Sequence, residues 1–107
     1  MHPVVERLAR DLEAGATWVI GEGRESGTVG LYNADEGIRE ELIEGILAWV
    51  PQDKVIFEAP RKGQQVWFVR QLGADVNLGN VAPDNVLSLE TLRLGLRADT
   101  VSAGALT

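Results

Sequence analysis

The sequence alternates short apolar segments with longer amphipathic ones, and this alternation limits the fold more than any other feature. Three short runs rich in β-forming residues predict strands at residues 17–22, 54–58 and 75–79. Segments with apolar residues at helical spacing predict helices at residues 4–14, 37–50, 63–72 and 88–97, with Ser88 as the N-cap of the last. One helix followed by three strand–helix units predicts an α/β fold with a parallel sheet and right-handed crossovers.

The predicted sheet is too small to be a complete doubly wound domain. Its strands are almost continuously apolar, which is typical of parallel strands whose two faces are both covered. A sheet of three parallel strands also leaves two edges exposed. We therefore expect residues 1–107 to form a single domain that is part of a larger architecture.

Composition and charge exclude several classes of protein. The formal net charge of −6 argues against a nucleic-acid binder, because such proteins are usually basic. The chain contains no cysteine, which excludes disulfide scaffolds, cysteine zinc sites and cysteine nucleophiles. No apolar run is long enough to span a membrane, and the N-terminus lacks the pattern of a signal peptide. These observations predict a cytoplasmic protein that contacts neither nucleic acid nor a membrane.

Polar residues gather at the carboxyl end of each predicted strand. They are Glu22, Arg24, Glu25 and Ser26 after the first strand, Glu58 and Lys62 after the second, and Asn77 and Asn80 in the third. The carboxyl ends of parallel strands meet at one edge of a sheet, and the active sites of (β/α)8 barrels lie there. The pattern is therefore typical of the mouth of a (β/α)8 TIM barrel, and three strand–helix units are too few to complete such a barrel.

Four motifs carry a specific resemblance to a known family. The segments "EGRESG", "VIFEAPRKGQQVWFV", "VNLGNV" and "SLETLRLGLRADT", in this order and spacing, resemble the C-terminal part of phosphosulfolactate synthase. The resemblance extends from Leu12 to Thr100 and implies a (β/α)8 barrel. It assigns the three predicted strands to the last three of that barrel, so the first five strands are not among these residues.

The resemblance also implies an activity. Family members add sulfite to phosphoenolpyruvate with Mg²⁺, a carbon–sulfur lyase reaction that gives phosphosulfolactate on the route to coenzyme M or sulfolactate. Two hypotheses follow for this chain. In the first, it is active when a complementary N-terminal part of the barrel is supplied. In the second, it is a non-catalytic truncated barrel fragment that self-associates. A different phosphate-handling barrel enzyme is a weaker third hypothesis.

The reaction implied by the resemblance suggests roles for the two carboxylates. Glu22 and Glu58 end neighbouring strands, and carboxylate oxygens suit Mg²⁺, which often takes one or two of them together with substrate oxygens. The alternative is that either carboxylate forms a structural ion pair with Arg24 or Lys62.

The remaining polar residues are candidates for holding substrate and moving a proton. Arg24 is a candidate for both catalysis and substrate binding, since it could hold a carboxylate or phosphate bidentately. Lys62 is a candidate catalytic residue that could donate a proton or bind phosphate. Of two adjacent glutamines, Gln64 is expected to reach the substrate, and Gln65 is expected at the surface. A further predicted group binds substrate phosphate through a loop that permits close backbone approach, and it consists of Asn77, Gly79 and Asn80.

Overall fold

The computed structural model describes residues 2–23, 30–33 and 37–105, with side chains up to residue 96. As predicted, it is an α/β structure with a small parallel sheet of three strands. The elements are α1 (Pro3–Glu13), β1 (Val19–Gly21), α2 (Glu40–Trp49), a 3-10 turn (Gln52–Lys54), β2 (Val55–Glu58), α3 (Lys62–Leu72), β3 (Leu78–Gly79) and α4 (Pro83–Ala105). None of the described helices is long and apolar enough to cross a membrane.

The chain divides into two compact units, Met1–Glu58 (the first unit) and Ala59–Thr107 (the second unit). In the first unit, α1 contacts both α2 and β1. The helices pack through the apolar positions that the helical spacing identified, namely Val4, Val5 and Leu8 in α1 and Leu42, Ile43 and Ile46 in α2. Gly45 permits the close approach, because a Cβ atom there would lie 3.4 Å from Val5 Cγ2. The apolar periodicity of both helices therefore correctly predicts which of their faces are buried.

The start of α2 differs from the prediction. The helix begins at Glu40 and not at residue 37, because the preceding backbone is paired with another part of the chain. Asn33 N–H donates to the carbonyl of Gly37 and Arg39 N–H to the carbonyl of Leu31, each at 2.8 Å. Tyr32 and Ile38 form an antiparallel bridge between these two hydrogen bonds. We call residues 31–33 and 37–39 the paired segment.

The strands β1 and β2 run parallel and present two different faces. Their register pairs Val19 with Val55, Ile20 with Ile56 and Gly21 with Phe57. One face, which we call the covered face, is buried and consists of Val19, Gly21, Val55 and Phe57. The other, which we call the open face, carries Ile20 and Ile56, and Ile20 is 49% exposed. The covered face closes tightly, since a Cβ atom at Gly21 would lie 3.1 Å from Phe57 Cδ1 and 3.5 Å from Leu31.

In the second unit, the length of β3 and the start of α4 differ from the prediction. β3 has only two residues, because a turn at residues 73–76 uses the backbone that was expected to extend the strand; Val76 N–H donates to the carbonyl of Gly73 at 3.3 Å. α4 begins at Pro83, a residue suited to the first helical position. The prediction that Ser88 is the N-cap is therefore wrong, and its hydroxyl donates to the carbonyl of Asn85 at 3.2 Å.

Candidate functional site

The candidate site of the first unit is built on the ends of β1 and β2. Glu58 is the last residue of β2 and is half-buried. Its Oε1 accepts a hydrogen bond from the backbone N–H of Gly23 at 2.8 Å. Continuing the parallel register by one residue beyond Gly21 and Phe57 sets Glu22 opposite Glu58. Because side chains alternate along strands, both carboxylates belong to the open face.

This donor set fits Mg²⁺. The ion takes oxygen ligands, and one or two carboxylates commonly hold it while water and substrate oxygens complete the octahedron. Glu22 and Glu58 supply two carboxylates from neighbouring strands, and one oxygen of Glu58 is fixed by a backbone amide. Within the described residues no group of three or more acidic, histidine or cysteine side chains gathers, so a site made wholly of protein ligands finds no support there.

Tyr32 is part of this site, although the sequence analysis did not identify it. Its hydroxyl donates to the backbone carbonyl of Glu58. Its ring lies beside Gly23, where a Cβ atom would be 3.5 Å from Tyr32 Cε2. Burial, and to a smaller extent the Glu58 carboxylate, raise the pKa of Tyr32 above its ordinary value, so the phenol keeps its donor proton at neutral pH.

The backbone at both strand ends is held by the paired segment. Leu31, which is fully buried, donates its N–H to the carbonyl of Glu22 at 3.1 Å. The adjacent residue, Tyr32, bonds to the carbonyl of Glu58. Two consecutive residues therefore fix the two positions that carry the candidate metal ligands. The one sequence signal was the apolar pair Leu31-Tyr32 inside a stretch that otherwise reads as a polar loop.

The structure describes one of the two predicted cationic site residues and not the other. Arg24 lies outside the described residues, so its catalytic and substrate-binding roles stay predictions. Lys62 is the first residue of α3 and is exposed. It lines a groove of about 540 Å³ within the second unit, together with residues of α3 and α4 that include Gln65, Asp84 and Ser88. Its predicted role in proton transfer or phosphate binding stays a prediction.

The two glutamines at the start of α3 are both buried, at 5% and 2% exposure for Gln64 and Gln65. Gln64 Oε1 accepts the backbone N–H of Arg61 at 3.0 Å, which caps the helix. Gln65 Nε2 donates to the carbonyl of Ala59 at 2.9 Å. The expectation that Gln65 lies at the surface is therefore wrong, because that side chain satisfies a buried carbonyl. The predicted substrate contact of Gln64 stays a prediction.

The residues predicted to bind phosphate surround β3 in the second unit: Asn77 precedes the strand, Gly79 ends it and Asn80 follows it. The carbonyl of Gly79 accepts the N–H of Ala59 at 2.9 Å, Asn77 is half-buried, and Asn80 is exposed. Asn80 has a φ of 55°, a left-handed conformation that asparagine adopts more readily than most residues. This conformation turns the chain towards the start of α4. The phosphate-binding roles of these three residues stay predictions.

Comparison with known proteins gives a consistent assignment. Residues 1–99 match the family model described as (2R)-phospho-3-sulfolactate synthase (ComA). A phosphosulfolactate synthase of Methanothermobacter thermautotrophicus is 48% identical over 97 residues, which is 89% of this chain and 38% of the relative. One of Methanocaldococcus jannaschii is 53% identical over 91 residues, 84% of this chain and 36% of the relative.

A bacterial relative extends the comparison. A phosphosulfolactate synthase of Bacillus subtilis is 42% identical over 97 residues, which is 90% of this chain and 38% of the relative. The chain thus spans little more than a third of the length of the curated relatives it matches. The resemblance seen in the four motifs is confirmed over nearly the whole chain. This chain belongs to the phosphosulfolactate synthase family.

Proposed function

We propose that these residues form the C-terminal three strand–helix units of a (β/α)8 barrel that adds sulfite to phosphoenolpyruvate with Mg²⁺. The observation that carries this proposal is the combination of family membership with two carboxylates on the open face of neighbouring strands. Active sites of such barrels lie at the carboxyl ends of the strands, where Glu22 and Glu58 are found. We expect the reaction to occur in the cytoplasm and to yield phosphosulfolactate for coenzyme M or sulfolactate.

The two faces of β1 and β2 support a barrel. In a (β/α)8 barrel the helices cover the outside of the strands, and side chains pack the inside. The first unit has helices and a covered face that matches the outside. Its open face, on which Ile20 is 49% exposed, matches an interior that other strands would fill. An apolar residue left half-exposed between two buried neighbours is what a removed barrel interior would produce.

The residues of this chain divide the reaction among them. Sulfite forms a carbon–sulfur bond with the methylene carbon of phosphoenolpyruvate, and a proton must then reach the carbon that carries the carboxylate. Glu22 and Glu58 would hold Mg²⁺, and the bound ion would supply positive charge to stabilise the negative charge that develops on the substrate. Arg24 holds a carboxylate or phosphate of the substrate, and Lys62 supplies the proton.

Positioning of the substrate falls to the second unit. The backbone at Gly79 and the side chains of Asn77 and Asn80 bind phosphate, in line with the use of the seventh and eighth loops by many barrels. The amide nitrogen of Gln64 adds a hydrogen bond to the substrate. The reaction needs no activated nucleophile from the protein, because sulfite is itself a good nucleophile.

Residues 1–107 alone should not catalyse the reaction, because the remaining strands of the barrel must complete the site. They can be supplied in a longer chain or by another one. A non-catalytic fragment that self-associates is the second candidate. One observation favours it: Trp18, which is 58% exposed, and Ile20 together leave apolar surface that a second copy could cover.

A chimera separates the two candidates. Residues 1–99 replace the matching segment of the Methanocaldococcus jannaschii relative, and the resulting protein is called the assembled barrel. Formation of phosphosulfolactate from phosphoenolpyruvate and sulfite is measured with and without Mg²⁺. We expect Mg²⁺-dependent product from the assembled barrel and none from residues 1–107 alone. A folded assembled barrel without activity would favour the self-associating fragment.

A further inference from the structure

The side chain of Glu58 needs contacts that restrain it to one conformation. It is the last residue of β2, where the regular hydrogen bonding of the strand ends. A glutamate has several rotatable bonds, and fixing them costs conformational entropy. The contact from Gly23 N–H to Oε1 restrains the carboxylate, but it does so only while the backbones at Gly23 and Glu58 keep their separation.

Tyr32 hydrogen-bonds to the residue that accepts this hydrogen bond and lies beside the residue that donates it. Its hydroxyl donates to the carbonyl of Glu58, and its ring lies in van der Waals range of the position that a Gly23 side chain would occupy. It therefore joins the segment that donates to the carboxylate with the strand that carries the carboxylate.

Tyr32 is itself held by its neighbours in the paired segment. It bridges Ile38 across the segment, and Arg39 Nε donates to its carbonyl at 3.5 Å. The N–H groups of Leu31 and Asn33, on either side of it, donate to the carbonyls of Glu22 and Gly37. A residue held in this way can restrain the group that it contacts. Functional side chains are commonly kept in position by such supporting contacts.

We propose that Tyr32 is a positioning residue for Glu58, whose carboxylate it keeps beside the Gly23 amide in the orientation that binds Mg²⁺. This inference rests on the metal-binding role proposed for Glu58. Tyr32 acts through Glu58 and does not touch the reacting atoms. A tyrosine at this position serves metal binding as well as the stability of the paired segment, and these two contributions can be separated by experiment.

The test is a double-mutant cycle in the assembled barrel, with Tyr32→Phe, Glu58→Gln and both together. Tyr32→Phe keeps the ring and removes only the hydroxyl. Three quantities are measured: Mg²⁺ affinity by calorimetry without substrates, kcat/KM for phosphoenolpyruvate, and the midpoint of unfolding in urea. Thr91→Val is the control, because it removes another hydroxyl that bonds to a backbone carbonyl, that of Leu87 at 2.9 Å on α4.

Tyr32→Phe should weaken Mg²⁺ binding and lower kcat/KM about fivefold, the scale of one ordinary hydrogen bond. Neither quantity should fall further when Tyr32→Phe is added to Glu58→Gln, because no metal-binding carboxylate is left to position. The shift in the unfolding midpoint should be equal in both backgrounds, since the hydroxyl bonds to the backbone. Thr91→Val should leave Mg²⁺ affinity unchanged.

Three results would overturn the inference, and they are distinguishable. If Tyr32→Phe shifts only the unfolding midpoint, the hydroxyl anchors the paired segment and has no positioning role. If it weakens Mg²⁺ binding equally with and without Glu58→Gln, it does not act through Glu58. If Glu58→Gln itself changes neither Mg²⁺ affinity nor activity, the metal role of Glu58 fails, and the positioning role of Tyr32 fails with it.

Discussion

The two faces of β1 and β2 are formed by the same six paired residues, yet they differ in burial and in residue type. The covered face consists of residues that are fully or almost fully buried, and it packs so closely that a Cβ atom at Gly21 would lie 3.1 Å from Phe57 Cδ1. The open face has a half-exposed isoleucine in the middle and two carboxylates at its end. The difference teaches that the first unit packs its core on one face and carries the proposed metal site on the other.

The largest expected effect contrasts a residue of each face in the isolated chain. Phe57→Ala should lower the free energy of unfolding by about 3–5 kcal/mol, because it leaves a cavity in a close-packed region. Ile20→Ala should change it by less than about 1 kcal/mol, because the side chain is half-exposed. Urea unfolding of both variants measures the contrast.

The same pair tests the barrel when it is measured in the assembled barrel. There Ile20 should lie in a packed interior, so Ile20→Ala should cost about 2–4 kcal/mol of unfolding free energy. Phe57→Ala should cost about as much as in the isolated chain. If Ile20→Ala remains nearly neutral in the assembled barrel, the open face is not a barrel interior.

The second prediction concerns the cations proposed to bind substrate anions. Arg24→Ala or Lys62→Ala in the assembled barrel should lower turnover at least tenfold, about 1.4 kcal/mol of transition-state stabilisation. The unfolding free energy should hardly change, because Lys62 is exposed and Arg24 is expected at the edge of the sheet. Steady-state kinetics with phosphoenolpyruvate provide the measurement. Turnover close to that of the parent in both variants would assign these residues to ordinary surface ion pairing.

The third and smallest effect is on association of the isolated chain. Residues 1–107 should not be a stable monomer, because the open face and the edge of β1 leave apolar surface and unpaired backbone groups exposed. Ile20→Asp should weaken association about fivefold by placing a charge on that surface. Light scattering across a dilution series measures it. A monodisperse parent monomer that unfolds cooperatively would refute this prediction.

Much of the fold could be predicted from local pattern. The order of elements, the apolar faces of α1 and α2, and the polar ends of the strands all follow from the spacing of residues near one another in sequence. The predicted ends of helices and strands were less accurate where another part of the chain hydrogen-bonds to the backbone. The start of α2 moved because Arg39 pairs with Leu31, and β3 is short because a turn precedes it.

The candidate site was predictable only in part, for a related reason. Residue types at strand ends identified Glu22 and Glu58, whose chemistry can be read from the side chain alone. Tyr32 could not be found in this way, because its role depends on a hydrogen bond to a residue 26 positions away. The burial of Gln65 was missed because a polar side chain can be buried when it satisfies a backbone carbonyl, and no local pattern reveals that partner.

Glu58→Gln in the assembled barrel tests the central claim, that the end of the open face is functional and does not determine the fold. The substitution keeps the size of the side chain and an oxygen that can accept the N–H of Gly23, but it removes the negative charge. The measurement is the rate of phosphosulfolactate formation as a function of Mg²⁺ concentration, with thermal unfolding followed in parallel.

The account predicts that Glu58→Gln weakens the Mg²⁺-dependent reaction and that excess Mg²⁺ recovers part of the loss. The unfolding free energy should change by no more than about 1 kcal/mol, the scale of an ordinary substitution. The contradictory result is a variant that keeps its activity and its Mg²⁺ dependence but unfolds much more easily than the parent. Glu58 would then be a buried structural partner, and the open face would have no metal site at its end.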